Sequence, residues 1–150
     1  MSKTVATNRK AYRDFFVIES IECGIELKGS EVKSIRDKKI NLEDSFARIA
    51  NNEIILYSAH ISPYAQASYM NVDPVRPRKL LLHRGQIDKL TVALTQRGLT
   101  MVPLKAYFND RGIVKIELAL CKGKKLYDRR EDMKRKEADR MVKRVLKQKR

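Results

Sequence analysis

The apolar residues of this 150-residue chain fall mainly in short runs bounded by Gly, Pro, Asn or Asp, a pattern typical of antiparallel β-proteins. The first run, Phe15 to Leu27, is rich in β-branched and aromatic residues and predicts a strand. Gly24 inside this run predicts a bend or a bulge, because glycine has no side chain to pack in a strand. The runs FARIA and EIILY then flank Asn51-Asn52, which tolerates positive φ and so predicts a hairpin over residues 46–61.

A second hairpin is predicted from Thr100–Phe108 and Ile113–Leu120, which flank the polar residues 109–112. Pro103 has no backbone N–H to donate, so its strand should lie at a sheet edge or carry a bulge. The following strand alternates with the period of two that places one set of side chains on each face. Its apolar face is formed by Val114, Ile116, Leu118 and Leu120, and its other face by Lys115, Glu117 and Ala119.

Two segments before the tail have helical features. Gly29-Ser30 predicts the start of a short helix with Ser30 as N-cap, but Lys33 occupies the position where a capping box needs Glu or Gln. A longer helix is predicted over Leu80–Arg97, ended by Gly98 at the C′ position. Its apolar residues recur at helical spacing: Leu80, Ile87, Leu90 and Leu94.

These elements predict a mainly β protein with five or six short strands and two or three helices. Antiparallel hairpins dominate and no βαβ rhythm occurs, so we predict a small, partly open β-barrel of the oligonucleotide-binding type. Residues 1–13 are basic and should be loose at the start, and residues 62–79, which contain three prolines, should be irregular. The predicted boundaries are a barrel domain over residues 1–122 and a basic tail over residues 123–150.

Positive charge is concentrated in the tail. Lys122 to Arg150 contain 14 Lys and Arg against 5 Asp and Glu, which gives +9 of the chain's formal net charge of +15. Such a segment cannot bury enough apolar surface to offset its ordering entropy, so we expect it to be disordered when free. Ala138, Met141, Val142 and Val145 nevertheless fall at helical spacing. The tail should therefore become a helix on a polyanion, and the alternative is an ordinary helix that packs on the barrel.

The sequence offers no pattern for catalysis or for a metal site. His60 and His83 are not at metal-ligand spacing from each other or from a cysteine, and no Gly-rich phosphate loop occurs. Cys23 and Cys121 each lie in an apolar run and should be buried, unpaired thiols. The chain has neither a secretory signal nor a run of roughly 20 apolar residues, so a cytoplasmic protein without a cofactor or a membrane partner is expected.

Basic clusters and a sequence pI of about 10.0 indicate a nucleic acid as the partner. The clusters are Arg76/Arg78/Lys79, Lys122/Lys124/Lys125 and Arg129/Arg130/Lys134/Arg135/Lys136. Tyr69, Tyr107 and Tyr127 lie near them in the sequence and can stack on bases. Two alternatives stay open: a small nuclease or RNA-modifying enzyme that holds Mg²⁺ with Glu43 and Asp44, and a basic ribosomal protein.

Several strings resemble the small protein B family, the partner of transfer-messenger RNA (tmRNA) in bacterial trans-translation. They are NRKA at 8–11, ECGIELKGSEVKS at 22–34, NLEDS at 41–45, HISPY at 60–64, DPVRPRKLLLH at 73–83, GLTMVPLKAY at 98–107 and GKKLYDRRE at 123–131. The strings occur in the family's order from about residue 8 to the end. The resemblance implies a monomeric, non-enzymatic adaptor whose barrel binds the tRNA-like domain of that RNA, with no DNA specificity.

The resemblance also implies the residues that make contact. The family's RNA-contacting glutamate corresponds to Glu22, and its strand lysine to Lys115. A leucine of the family and the residue two positions further on correspond to Leu81 and His83. Together with the basic clusters, the predicted RNA-binding residues are Glu22, Arg76, Arg78, Lys79, Leu81, His83, Lys115, Lys122, Lys124 and Lys125. A carboxylate repels phosphate, so Glu22 should accept hydrogen bonds from bases or from a 2′-OH.

For the tail, the resemblance implies a second partner, the ribosome. The tail is expected to enter the empty mRNA channel, fold there as a helix along the rRNA of the small subunit, and replace the missing codon–anticodon pairing. The implied contacts in the decoding centre and the channel are Tyr127, Asp128, Arg129, Arg130, Val145 and Leu146.

Overall fold

Short strands and helices follow one another along residues 3–65, 71–124 and 126–148, which are the residues that the computed structural model describes. The strands are β1 (Lys3–Thr7), β2 (Phe15–Ile25), β3 (Ile40–Asn41), β4 (Phe46–Ala50), β5 (Glu53–Tyr57), β6 (His60–Ile61), β7 (Arg78–Leu81), β8 (Thr100–Phe108) and β9 (Val114–Gly123). The helices are α1 (Arg9–Asp14), α2 (Gly29–Arg36), α3 (Arg84–Arg97) and α4 (Leu126–Gln148). Tyr69, Lys125 and the side chains of Tyr127, Asp128 and Arg129 lie outside the described part.

Six strands pair antiparallel in a ring, in the order β8–β4–β5–β7–β2–β9 and back to β8. β1 extends the sheet on the side of β8 that faces away from β9, while β3 and β6 form a separate two-stranded sheet. The predicted mainly β architecture, a small antiparallel barrel with short helices, is confirmed. The ring is closed, because Ala47 of β4 pairs with Met101 of β8, whereas we predicted a partly open barrel.

Alternating side chains of the strands fill the barrel. Fully buried members of this core include Ile54, Leu56, Leu80, Ile116 and Leu118. Burying one such side chain stabilises the fold by roughly 1.5–3 kcal/mol relative to leaving it exposed. Helix α3 packs on the core through Leu90, with Ile87 and Leu94 beside it.

The outward face of β9 is also buried toward the end of the strand, which the alternation did not reveal. Ala119 and Cys121 are covered by Ala11 of α1 and by Phe15, and this second cluster also includes Val102 and Leu104. Cys23 and Cys121 are both buried and unpaired, as predicted. Burial raises the pKa of Cys23 to about 12 and that of Cys121 to about 11, so both thiols stay protonated.

Residues 3–14 form β1 and α1, whereas residues 1–2, where a loose start was predicted, lie outside the described residues. Asn8 is buried and caps α1, because its side-chain oxygen accepts from the Ala11 N–H. Its side-chain nitrogen donates to the backbone oxygens of Leu42, at 3.1 Å, and Pro103, at 2.9 Å. Asn8 thus ties the N-terminus to two distant segments, and the NRKA string has a structural role.

The helix starts differ from the prediction. Leu80 belongs to β7, where it pairs with Ile54, and α3 begins only at Arg84 with His83 as its N-cap. Helix α2 begins at Gly29 with Lys28 as its N-cap, not Ser30. Its third residue, Glu31, accepts from the Lys28 backbone N–H at 2.8 Å, which is half of the capping box that we predicted to be absent.

The second predicted hairpin is confirmed, and the first is present but spans only residues 46–57, because His60–Ile61 pair with β3 instead. Two bulges are now located. Asn51 and Asn52 both have positive φ, as a two-residue hairpin turn requires, and Gly98 ends α3 with φ of 61°. The register of β8 shifts between Pro103 and Lys105, so Pro103 adjoins a bulge in a strand paired on both sides. The bulge of β2 lies between Val17 and Glu19, not at Gly24.

Candidate nucleic-acid interface

An open cavity of about 550 Å³ lies where β2, β7 and β9 meet the start of α3. Five of the residues predicted to bind RNA line it, although they are spread over more than ninety positions of the chain. These five are Glu22, Lys79, Leu81, His83 and Lys115. Asn52, Glu53 and Gln86 complete its polar wall.

Gly24 gives the cavity its depth. It pairs with Leu81 of β7 on one side and with Lys115 of β9 on the other. A Cβ atom on Gly24 would lie 3.3 Å from the Cβ of Leu81, which is tighter than ordinary contacts allow without a shift. The absent side chain therefore lets β7 approach closely and leaves room between Leu81 and Lys115.

Apolar and charged groups stand side by side in this cavity. Leu81 is 48% exposed, so an apolar surface is open to a ligand beside the charged groups. Lys79 pairs with Glu53 at 3.3 Å, and both side chains are about half exposed, so the pair is weak and Lys79 can exchange Glu53 for a phosphate. His83 is exposed at the N-cap of α3, where its backbone N–H donates to Gln86.

Glu22 projects from β2 on the exposed face and accepts a hydrogen bond from the hydroxyl of Tyr107 on β8. Its direct partner across the sheet is Glu117 of β9, so two carboxylates face each other. Burial, with the hydrogen bond to Glu22 next in size, raises the pKa of Tyr107, so the phenol remains a donor at neutral pH. Tyr107 was predicted only as a surface for base stacking, and its hydrogen bond depends on a strand pairing that the sequence does not show.

Arg76 and Arg78 are held within the protein by Glu31. Arg78 is 1% exposed and donates to Glu31 at 2.6 Å, to the Ala59 backbone oxygen at 2.7 Å and to that of Pro74 at 3.0 Å. Arg76 donates to the same carboxylate at 2.5 Å and stays partly exposed. Arg78 therefore does not present its guanidinium to an external ligand in this fold, and we assign it a structural role.

The charge of Glu31 is stabilised where it lies. Burial alone would raise the pKa of this carboxyl group, but hydrogen bonds from Arg76, from the Lys28 backbone and from Arg78 hold it below its ordinary value. Among the buried side-chain polar atoms that the structure describes, all have a hydrogen-bond partner.

The junction between barrel and tail is formed by Lys124. Its ammonium group lies 2.5 Å from a carboxylate oxygen of Asp132 in α4 and 4.9 Å from the centre of the Phe16 ring. The hydrogen bond from Lys124 holds the pKa of Asp132 below its usual range. The neighbouring Lys122 is exposed. Of the two lysines, only Lys122 is thus free of such an internal contact among the described residues.

Helix α4 carries its apolar stripe on an exposed surface. Met141, Val142, Val145 and Leu146 are each about half exposed or more, and Arg130 is exposed as well. The described residues of the tail thus form a helix with an uncovered apolar face.

The remaining candidates have ordinary surroundings. Asp44 pairs with Lys10, and Glu43 lies in a turn closed by the side chain of Asn41. Within the described residues, no group of three or more His, Cys, Asp or Glu side chains could hold a metal ion. No helix in that part of the chain is long and apolar enough to cross a membrane.

Comparison with known proteins gives a consistent result. The sequence profile of the SmpB protein family matches residues 5–148. The SsrA-binding protein of Caldanaerobacter subterraneus subsp. tengcongensis is 54% identical over 147 residues, covering 98% of this chain and 92% of the relative. That of Enterococcus faecalis is 54% identical over 145 residues, covering 97% of this chain and 94% of the relative.

A solved structure is similar in both sequence and fold. It is described as "tmRNA-SmpB: a journey to the center of the bacterial ribosome" and is 49% identical, with a TM-score of 0.68. The match covers 81% of this chain and 85% of that one. Because the profile matches nearly the whole chain and the relatives are more than half identical to it, this protein belongs to the SmpB family.

Proposed function

We propose that this protein is an RNA-binding adaptor of trans-translation. Its barrel binds the tRNA-like domain of tmRNA, and its tail acts on the stalled ribosome to which that RNA is delivered. Membership of the SmpB family, relatives named SsrA-binding protein and a neighbour described as tmRNA-SmpB on the bacterial ribosome support this role. A ribosomal partner implies the bacterial cytoplasm. An enzymatic role is not favoured, because the family is one of RNA-binding proteins.

One observation carries the assignment of the surface. Glu22, Lys79, Leu81, His83 and Lys115 come from three strands and a helix N-cap, yet they line a single cavity. A core needs neither an exposed leucine nor paired charges beside it, whereas folded RNA offers groups that suit each residue. Lysines meet phosphates, Leu81 can contact a ribose or base face, and Glu22 accepts hydrogen bonds from base edges or a 2′-OH.

The tail supports the second half of the proposal. Helix α4 combines an exposed apolar stripe with a basic surface, which suits a helix that lies along rRNA in the mRNA channel. We propose that Tyr127, Asp128, Arg129 and Arg130 meet the decoding centre, and that Val145 and Leu146 supply apolar contact further along. Disorder of the tail in the free protein remains a prediction.

Binding of a labelled tRNA-like RNA tests the barrel assignment. The protein should bind this RNA more tightly than an unrelated hairpin and should leave it intact in the presence of Mg²⁺. Lys115→Ala should weaken binding by about five- to tenfold and reduce the slope of log affinity against log salt by about one, since one phosphate contact is lost.

Lys39→Ala is the matched control, because Lys39 is exposed and does not line the cavity. Equal effects of the two substitutions would mean that only bulk charge matters and that the cavity is not the interface. Turnover of the RNA with Mg²⁺ would instead support the nuclease alternative.

A further inference from the structure

Glu22 and Tyr107 lie on strands that are not neighbours and meet above the strand between them. Glu22 of β2 stands opposite Glu117 of β9, and Tyr107 of β8 stands opposite Lys115 of β9. Because Lys115 and Glu117 are two positions apart on the same face, the Tyr107 hydroxyl reaches Glu22 diagonally across β9. A tyrosine is long enough for this diagonal.

The Glu22 carboxylate needs a hydrogen-bond donor to hold its position in these surroundings. Two carboxylates directly opposite each other repel, so the Glu22 side chain would turn away if nothing held it. Lys105 stands opposite Glu117 on the far side, so the nearest position across the strand from that carboxylate is a cationic residue. Glu22 receives a neutral hydroxyl instead, so its carboxylate is held in place without a cation.

This arrangement fixes an acceptor at the rim of the cavity. Tyr107 donates to Oε2 of Glu22, which leaves Oε1 and the remaining lone pairs for an incoming ligand. A carboxylate in a fixed plane suits two neighbouring N–H donors on a base edge, or a single 2′-OH. It also repels phosphate, so it discriminates between ways in which an RNA can lie in the cavity.

We propose that Tyr107 is a positioning residue that determines specificity for the bound RNA, because it fixes the Glu22 carboxylate as an acceptor for base or 2′-OH donors. The inference rests on the proposed function, since it concerns the same cavity. Tyr107 need not touch the RNA itself.

Tyr107→Phe tests the inference, because it removes one oxygen atom and keeps the ring. Affinity for a tRNA-like RNA should fall by about five- to tenfold, since a mobile Glu22 must be ordered again on binding. Affinity for an unrelated hairpin and the salt slope should not change, because no phosphate contact is lost. In a Glu22→Ala background, Tyr107→Phe should cause no further loss.

Tyr57→Phe is the matched control, because it removes the same atom from a tyrosine that stacks on Phe46 and does not line the cavity. Unchanged specific affinity in Tyr107→Phe would overturn the inference, even if thermal stability falls, because the contact would then only join strands. So would an additive loss in the Glu22→Ala background. A wild-type protein that does not prefer the tRNA-like RNA would overturn the proposed function itself.

Discussion

At the residue scale, the guanidinium of Arg78 lies inside the protein and shares the Glu31 carboxylate with Arg76. Glu31 comes from the first turn of α2, whereas Arg78 opens β7 and Arg76 precedes it. The three side chains therefore fasten the segment before β7 to α2. Within the string DPVRPRKLLLH, the charge of Arg78 therefore stabilises the fold, whereas the charge of Lys79 lies in the cavity.

Replacing Glu31 with glutamine should destabilise the protein, because the buried guanidinium of Arg78 and the partly exposed one of Arg76 then lose their counter-charge. Removing one partner of a buried ion pair costs about 3–5 kcal/mol, so we expect a loss of this order in the free energy of unfolding at pH 7. Urea denaturation measures it. Glu53→Gln is the control, because its partner Lys79 is well exposed and the loss should be small.

The loss of stability in Glu31→Gln should depend on pH, because the folded-state pKa of Glu31 lies below its ordinary value of 4.5. A lowered carboxyl pKa adds stability that is complete above the unfolded value and disappears as pH falls through the folded value. The difference between wild type and Glu31→Gln should therefore narrow below about pH 4.5. A constant difference from pH 7 to pH 3 would contradict the pairing.

The sequence distinguished such residues poorly. By composition, Arg76, Arg78 and Lys79 formed one basic cluster. Only the partners seen in the structure show that Arg78 is a buried structural residue and that Lys79 is a surface lysine. Asn8 shows the same limit, since its two carbonyl partners, Leu42 and Pro103, are remote in the sequence. Glu22 and Lys115 were predicted because the resemblance to the family implied them, not because their spacing shows that they share a cavity.

At the element scale, the start of α4 depends on one side chain from the end of the barrel. Lys124 contacts Asp132 in the second turn of α4 and the ring of Phe16 in β2, while its backbone N–H donates to the Asp14 carbonyl oxygen. These contacts give the tail helix a fixed origin on the barrel. Beyond them, the described side chains of the helix are exposed.

Asp132→Asn should loosen the start of α4 without affecting the barrel, because the ion pair with Lys124 is lost and the strands are not touched. Amide hydrogen exchange should become faster around residues 126–135 and stay slow in β2 and β9. Asp139→Asn, further along the same helix, is the matched control. Equal exchange in wild type and Asp132→Asn would show that Lys124 does not anchor the helix.

Elements made by local chemistry were the ones that the sequence predicted well. The Asn51-Asn52 turn, the end of α3 at Gly98 and the hairpin of β8 and β9 all follow from residues close in sequence. The predicted start of α3 was wrong, because the apolar spacing of Leu80 fits a buried strand as well as a helix. Pairing with Ile54 places Leu80 in a strand. β1 was missed since its short polar sequence forms a strand only against β8.

At the scale of the whole molecule, most of the net positive charge lies in the tail, whereas the cavity lies in the barrel. The last 29 residues carry +9 of the +15, and the barrel that precedes them holds the cavity. The two parts should therefore make separable contributions to binding, one specific and one largely electrostatic.

Ending the chain after Leu126 should leave specific binding to a tRNA-like RNA largely intact, because the cavity is unchanged. The salt dependence should become shallower, since the basic residues of the tail no longer release counterions. Peptide tagging on stalled ribosomes should be lost. Replacing Asp128, Arg129 and Arg130 with alanine in the full chain should abolish tagging in the same way.

A Lys-rich scramble of residues 123–150 is the control for bulk charge. Full tagging activity of that scramble would contradict the proposed role of the helix. Loss of specific binding at low salt after truncation would contradict the division between barrel and tail.

The pairing of β2 with β9 has a consequence for how this protein reaches its fold. Phe15 pairs with Gly123, and β9 lies between β2 and β8 in the ring. The barrel therefore cannot close until nearly all of its residues have been synthesised, and before then β2 can pair only with β7, at Gly24 and Ile25. Contacts so distant in sequence slow folding toward roughly the millisecond-to-second range. During synthesis, the edge of β2 that will pair with β9 is therefore exposed to chaperones and to mispairing.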